Sequence, residues 1–146
     1  MSTYSFMDVS ASLTGPTGVI DMGYGSATSE EGITITMTEA KNTMTIGADG
    51  EGMHSLHAGK SGTITVTLLK TSPTNKKLSL AYNAQSLSSS TWGNNVIVIR
   101  NHVSGEITTA RGGAFQKQPD YTNAIKGGTV AWAFDCIKID QVLGEF

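Results

Sequence analysis

Residues 6–13 alternate Met7, Val9, Ala11 and Leu13 against Asp8, Ser10 and Ser12, the period-two pattern of a strand buried on one face. The Gly15, Pro16, Thr17, Gly18 cluster then turns the chain, and Ile20, Met22 and Tyr24 share one face of a return strand, which predicts a hairpin. A polar connection from Ser26 to Gly32 follows. Beyond it, Ile33, Ile35 and Met37 oppose Thr34, Thr36 and Thr38, and a short strand over 43–46 enters a glycine-rich loop. The strand leaving that loop sets Ile64, Val66 and Leu68 against Thr63, Thr65 and Thr67. Ser72 followed by Pro73 is a helix start, because serine caps free N–H groups and proline lacks the donor that would go unpaired. The helix is predicted over 73–86, with Leu78, Ala81 and Tyr82 as its apolar stripe.

Downstream, the run Val96, Ile97, Val98, Ile99 predicts a strand buried on both faces. A turn at Ser104 and Gly105 leads into a strand over 106–115. The last strand places Val130, Trp132 and Phe134 on one face and then shifts to Ile137 and Ile139. A bulge near Asp135 or Cys136, with a change of neighbouring strand, would produce that parity change. About six to eight strands with one helix predict a mainly β (α+β) fold, a β-sandwich or partly closed barrel with one flanking helix. Residues 1–146 read as one domain with a long protruding loop at about 40–62, which the strands on either side would make a protruding hairpin or arm.

That loop shapes the functional reading. Glycines 47, 50, 52 and 59 punctuate it, and the stretch Ala48–Gly59 shows little period of its own. Loops this long inside compact domains are uncommon, and they are functional or disordered. Ordering one costs on the order of 1 to 2 kcal/mol per residue of backbone, so the segment is expected to be disordered alone and ordered by a neighbouring chain. Met53 and Leu56 are its large apolar anchors and are expected at a subunit contact. The competing expectation folds them back onto the chain's own core.

Composition narrows the chemistry. With 15% charged residues and a formal net charge of -2, the chain has no basic footprint for holding nucleic acid. The single Cys136 excludes an intrachain disulfide and lies in an apolar strand pattern, which predicts an inert core thiol. No apolar run approaches the roughly 18 residues of a membrane span, and no secretory signal pattern opens the chain. Gly59, Lys60 and Ser61 resemble the end of a phosphate-binding loop, but His54 stands where the first glycine is required and Ser61 opens a strand rather than a helix. His54 and His57 lack further metal ligands, and Asp49, Gly50, Glu51 lack the rest of a calcium loop. There is no nucleophile-elbow pattern. Trp92 and Trp132 could form a sugar-stacking platform, although Trp132 sits mid-strand and reads as core. No catalytic residue, cofactor or metal is expected. Two classes remain: a self-assembling structural subunit and a ligand- or glycan-binding β-sandwich module.

The opening TYSFMDVSASLTGP, the central NTMTIGADGEGMHSLHAGKSGTITVTLLKTSPTN and the ending GGTVAWAFDCIKIDQVLG resemble the tail-tube proteins of contractile-tailed, myovirus-type bacteriophages over nearly the whole chain. The resemblance implies hexameric rings with a continuous inner β-barrel, stacked into the hollow tube for DNA ejection within a contractile sheath. It implies self-association, contacts with tail sheath, baseplate and tail terminator proteins, and passage of tape measure protein and DNA without specific binding. It places the protein in the virion tail after assembly in the host bacterial cytoplasm, with no membrane partner. On this reading Asp49, Glu51, Met53, His54, Leu56, His57 and Lys60 are candidates for contacts between subunits or rings. Thr34, Thr36, Thr38, Thr63, Thr65 and Thr67 are lumen candidates, since basic side chains there would bind phosphates and hold DNA. The competing reading of these threonines is a solvated or sheath-facing sheet surface.

Overall fold

The computed structural model describes residues 2–146, with residues 29–31 described by their backbone. A short 3-10 turn at Phe6–Asp8 precedes β1 (Val9–Gly15) and β2 (Gly18–Asp21), which form the expected hairpin. β3 (Thr28–Met37) follows, then β4 (Asn42–Ile46), β5 (Gly52–Leu56) and β6 (Gly62–Leu69). After α1 (Thr74–Gln85) come β7 (Asn95–Asn101), β8 (Ile107–Phe115) and β9 (Thr129–Val142).

Seven strands form one antiparallel sheet in the order β2-β1-β7-β8-β9-β6-β3, and β4 pairs only with β5. The alternation in the sequence decides which face turns inward. Leu13 of β1, Ile97 of β7, Phe134 of β9 and Val66 of β6 all belong to one buried cluster, although their strands span most of the sheet's width. One 12-residue helix is too small to cover that face, so the sheet must curl over its own interior as a partly closed barrel, with β2 and β3 as its two edges. α1 adds Leu78 and Ala81 to the interior. Its C-terminal end is fixed by an amide pair: Gln85 Nε2 donates to Asn95 Oδ1 at 2.9 Å and Asn95 Nδ2 donates to Gln85 Oε1 at 2.8 Å, both side chains fully buried.

Several expectations are corrected. The helix begins one residue later than predicted, since Pro73 is the capping residue; the Ser72 hydroxyl still accepts the Thr74 N–H at 3.3 Å while donating to Ser26 C=O. Ile20 on the return strand and Met22 just past its end are buried, but Tyr24, two residues further on, is exposed. β7 is not buried on both faces. Ile97 and Ile99 face the interior, whereas Val96 and Val98 are half-buried because no second layer covers the outer face.

A parity change does occur on β9, with Cys136 and Ile139 both buried, but Ile137, expected on the same face as Ile139, is exposed, and the irregularity in register lies on the neighbouring strand. Pairing of β9 with β8 keeps one register throughout, and the register shift falls in β7–β8 between Asn95 and Ile97. There β8 carries an extra residue at Gly112, whose φ of +62° suits glycine and whose missing Cβ leaves room for Ile137. The expected change of neighbour does not occur: β8 stays beside β9 throughout, and beyond Cys136, where the β6 ladder ends, Ile139 N–H donates to the C=O of Lys60, in the segment that leads into β6, at 2.8 Å.

Candidate functional site

The protruding segment is a hairpin, and its second strand lies in the stretch that shows no period in the sequence. β5 pairs with β4 from Asn42↔Leu56 to Ile46↔Gly52, giving a two-stranded arm inserted between β3 and β6. Its turn is closed by Gly47 N–H donating to Glu51 C=O at 2.7 Å, and the Asp49 carboxylate accepts the Glu51 N–H at 3.2 Å. Gly50 takes a φ of +90° in this turn, a conformation that side-chain-bearing residues rarely adopt. Periodicity missed β5 because GMHSL alternates no apolar and polar positions; its signal is the glycine turn after a clear strand.

Pairing sorts the candidate residues by face. Met44, Ile46, His54 and Leu56 share one face of the arm, while Thr43, Thr45 and Met53 share the other. Leu56 is 82% exposed and Met53 60% exposed, so neither folds back onto the core, and that expectation is corrected. Met44 and Ile46, absent from the candidates read in the sequence, complete an apolar face with Leu56. His54 Nδ1 pairs with Asn42 Nδ2 at 3.2 Å, and His57 Nε2 pairs with Thr43 Oγ1 at 2.7 Å. The two imidazoles therefore engage opposite faces. Among the described residues no group of three or more His, Cys, Asp or Glu side chains could hold a metal ion. At the base of the arm, Lys60 Nζ contacts Asp140 Oδ1 at 3.1 Å. That hydrogen bond, aided by the charges of Lys60, Lys138 and Arg111, holds the Asp140 carboxyl below its ordinary value.

The second candidate surface is the outer face of β3, β6 and β9. Register sets Thr34 beside Thr65 and Ala133, and Thr36 beside Thr63 and Asp135, with Thr67 beside Ala131. Thr38 lies just past β3, its N–H donating to Ser61 C=O at 3.0 Å. The paired parts of these strands contain no lysine or arginine; the first basic residue on β9 is Lys138, beyond the end of its pairing with β6. Asp135 accepts hydrogen bonds from Thr63 Oγ1 at 3.0 Å and Gln116 Nε2 at 3.3 Å. Sequence reading missed Asp135, Ala131 and Ala133 on this face, although they alternate with the buried Val130, Trp132 and Phe134.

The other candidate chemistries resolve into structure. Cys136 is buried, and burial, with the nearby Asp135 charge, pushes its thiol up to about 11. A thiol so protonated is a poor nucleophile. Trp132 is buried and donates Nε1–H to Asn75 Oδ1 at 3.0 Å. Trp92 packs its ring 6.0 Å from Tyr82 within a cluster that includes Phe115, so the two tryptophans make no flat exposed platform.

Comparison with known proteins agrees with a structural role. The sequence profile of the bacteriophage PhiTE tail tube protein family matches residues 1–144. No curated protein matches by sequence. Among solved structures, the chain is similar to one in the PVC extracellular contractile injection system sheath–tube complex in its extended state, with TM-score 0.60 and 8% identity over 97% of this chain and 92% of that one. The sheath/tube terminator of an extended PVC system gives TM-score 0.60 at 11% identity, over 97% and 98%. A chain of the six-fold symmetrised anti-feeding prophage baseplate gives TM-score 0.55 at 16% identity, over 97% of each. At these identities the likeness is one of fold.

Proposed function

The chain belongs to the bacteriophage PhiTE tail tube protein family, and from that premise we propose that it is the subunit of hexameric rings that stack into the hollow conduit for DNA ejection. It is a structural tail protein and not an enzyme. In the proposed assembly residues 1–146 act as one domain, rings form in the host cytoplasm, a contractile sheath surrounds the tube, and tape measure protein and DNA pass through without specific binding. Baseplate and terminator proteins close its ends.

The observation that carries this reading is the arm. Every residue of β4 is exposed, and β5 is nearly so. An isolated two-stranded hairpin is marginal in water, so Asp49, Glu51, Met53, His54, Leu56, His57 and Lys60 gain from a neighbouring subunit or ring what the chain itself does not supply. The face bearing Thr34, Thr36, Thr63, Thr65 and Thr67, with Thr38 at its end, supports assignment to the lumen wall: its charged member in the paired rows is the carboxylate of Asp135. Hydroxyl and carboxylate groups do not neutralise phosphates, so DNA slides past them.

Electron microscopy of the purified protein at high concentration tests the assembly, with hollow filaments built of six-fold rings as the expected result. Persistent monomers would overturn it. Thr36→Lys with Thr65→Lys tests the wall: tubes should still form, and DNA ejection should be impaired, with the defect easing at higher salt. Normal ejection from particles that carry both substitutions would move these residues out of the lumen.

A further inference from the structure

The barrel does not close, and beside the free edge of β3 lies a groove of about 660 Å³ whose other walls come from the start of β1 and from residues of β7, β8 and β9. Its floor is apolar, formed by Phe6, Val9, Ile33, Ile35 and Ile99, with Glu106 and Gln141 among its polar lining. Ile33 and Ile35 point toward the core yet remain half-buried, because β3 pairs with β6 on one side and has no strand on the other. The groove is thus an unfilled extension of the core next to a free strand edge.

The arm is its counterpart on the same chain. Met44, Ile46 and Leu56 are 60%, 56% and 82% exposed on one face, and His54 sits among them. The arm leaves the β3–β6 hairpin at the Met37/Gly62 end, has extensive packing only between its own two strands, and contributes no residue to the lining of its own groove. Resting on the reading of the arm given above, we propose that the apolar face of the arm seats in the groove beside β3 of a second copy of this chain. The three aliphatic side chains meet the aliphatic floor, and Glu106 offers His54 a carboxylate. Because donor and acceptor are different patches, the contact is heterologous and repeats head to tail, the kind that closes into rings or propagates as filaments. The groove between β2 and α1, lined by Val19, Lys77 and Leu80, is the alternative acceptor; at about 350 Å³ it is smaller and has no carboxylate for His54.

Thiol cross-linking between full-length copies tests the pairing. Leu56→Cys, and separately Asn42→Cys across from it, would each be co-expressed with Gln141→Cys at the proposed groove or with Leu80→Cys at the alternative, and the assemblies oxidised. The buried Cys136 does not compete. The expected result is a cross-linked dimer with Gln141→Cys in about tenfold or greater excess over Leu80→Cys, since seated thiols react at the effective concentration of a tethered pair. Equal yields, a preference for Leu80→Cys, or no dimer from any pair would overturn the assignment. A variant with residues 42–57 replaced by a short turn separates the two levels of inference. If it loses tubes while the groove cross-link is absent, only the acceptor falls; if it forms tubes like the parent, the role of the arm falls as well.

Discussion

β4 and β6 are written in nearly the same language and meet opposite fates. Thr43, Met44, Thr45, Ile46 and Thr63, Ile64, Thr65, Val66 alternate hydroxyl with apolar side chains in the same rhythm. Yet all of β4 is exposed, while Ile64, Val66 and Leu68 are fully buried. The difference lies in the partners. β6 is held between β3 and β9, the latter supplied from more than sixty residues downstream, whereas β4 has only the local β5. Alternation specifies a strand; burial is conferred by chain that arrives from far away. An apolar face without such chain is left for another molecule.

The sharpest test of that contrast compares equal truncations in the two regions. Phe134→Ala in the sheet interior should destabilise the unassembled protein by about 3–5 kcal/mol, through lost transfer energy and a cavity. Chemical denaturation of the monomer measures it. A loss below about 1 kcal/mol would show that the interior collapses freely around the gap, and the distinction between sheet and arm would weaken.

A middle-sized effect tests how α1 is tied to the sheet. Gln85→Leu leaves the buried Asn95 amide without its reciprocal partner, and an unmatched buried group costs about 1–3 kcal/mol. Adding Asn95→Leu should recover part of the loss, because both polar partners are then gone. If the double variant is less stable than the single by the full sum, the amides act independently.

On the arm, Met44→Ala and Leu56→Ala should each change monomer stability by no more than about 0.5 kcal/mol while reducing tube yield. Denaturation and electron microscopy on the same preparations read both quantities. A large stability loss would mean that the arm belongs energetically to the barrel.

Much of the sheet is legible because its strands are half-buried: alternation places β6, the first half of β9, β1 from Val9 onward and β3 from Ile33 onward, and Ser72–Pro73 places α1 to within a residue; Met7 instead lies exposed in the 3-10 turn, and β3 already starts at Thr28 inside the stretch read as a connection. What escaped depends on contacts that sequence spacing does not encode. β5 carries no alternation because neither of its faces is buried, so burial left no mark on its composition. The continuous run Val96–Ile99 suggested two covered faces, but Val96 and Val98 line an outer face that the monomer leaves open. The parity change visible on β9 points to a bulge there, whereas the extra residue sits on β8 at Gly112 and shifts both strands together. The apolar face of the arm was half visible, since Met44 and Ile46 join Leu56 only once the pairing is known.

The smallest expected effect lies at the boundary between the regions, where Lys60 joins the base of the arm to β9. Its Nζ holds the Asp140 carboxyl below the ordinary value of 3.8. A carboxyl depressed in the folded state contributes its stability in full above that ordinary value, and the contribution disappears as pH falls through the lower, folded one. Both side chains are nearly half exposed, so water and salt screen the pair and its effect is small. The parent's thermal midpoint should therefore fall more steeply below about pH 4 than that of Lys60→Met, and high salt should narrow the gap. The backbone offers a local readout: Ile139 N–H donates to Lys60 C=O at 2.8 Å, so its hydrogen exchange should quicken in the variant while that of Val66 in mid-sheet stays unchanged. Parallel pH curves and unaltered exchange at Ile139 would show that the backbone contact alone anchors the arm, with the ion pair a bystander.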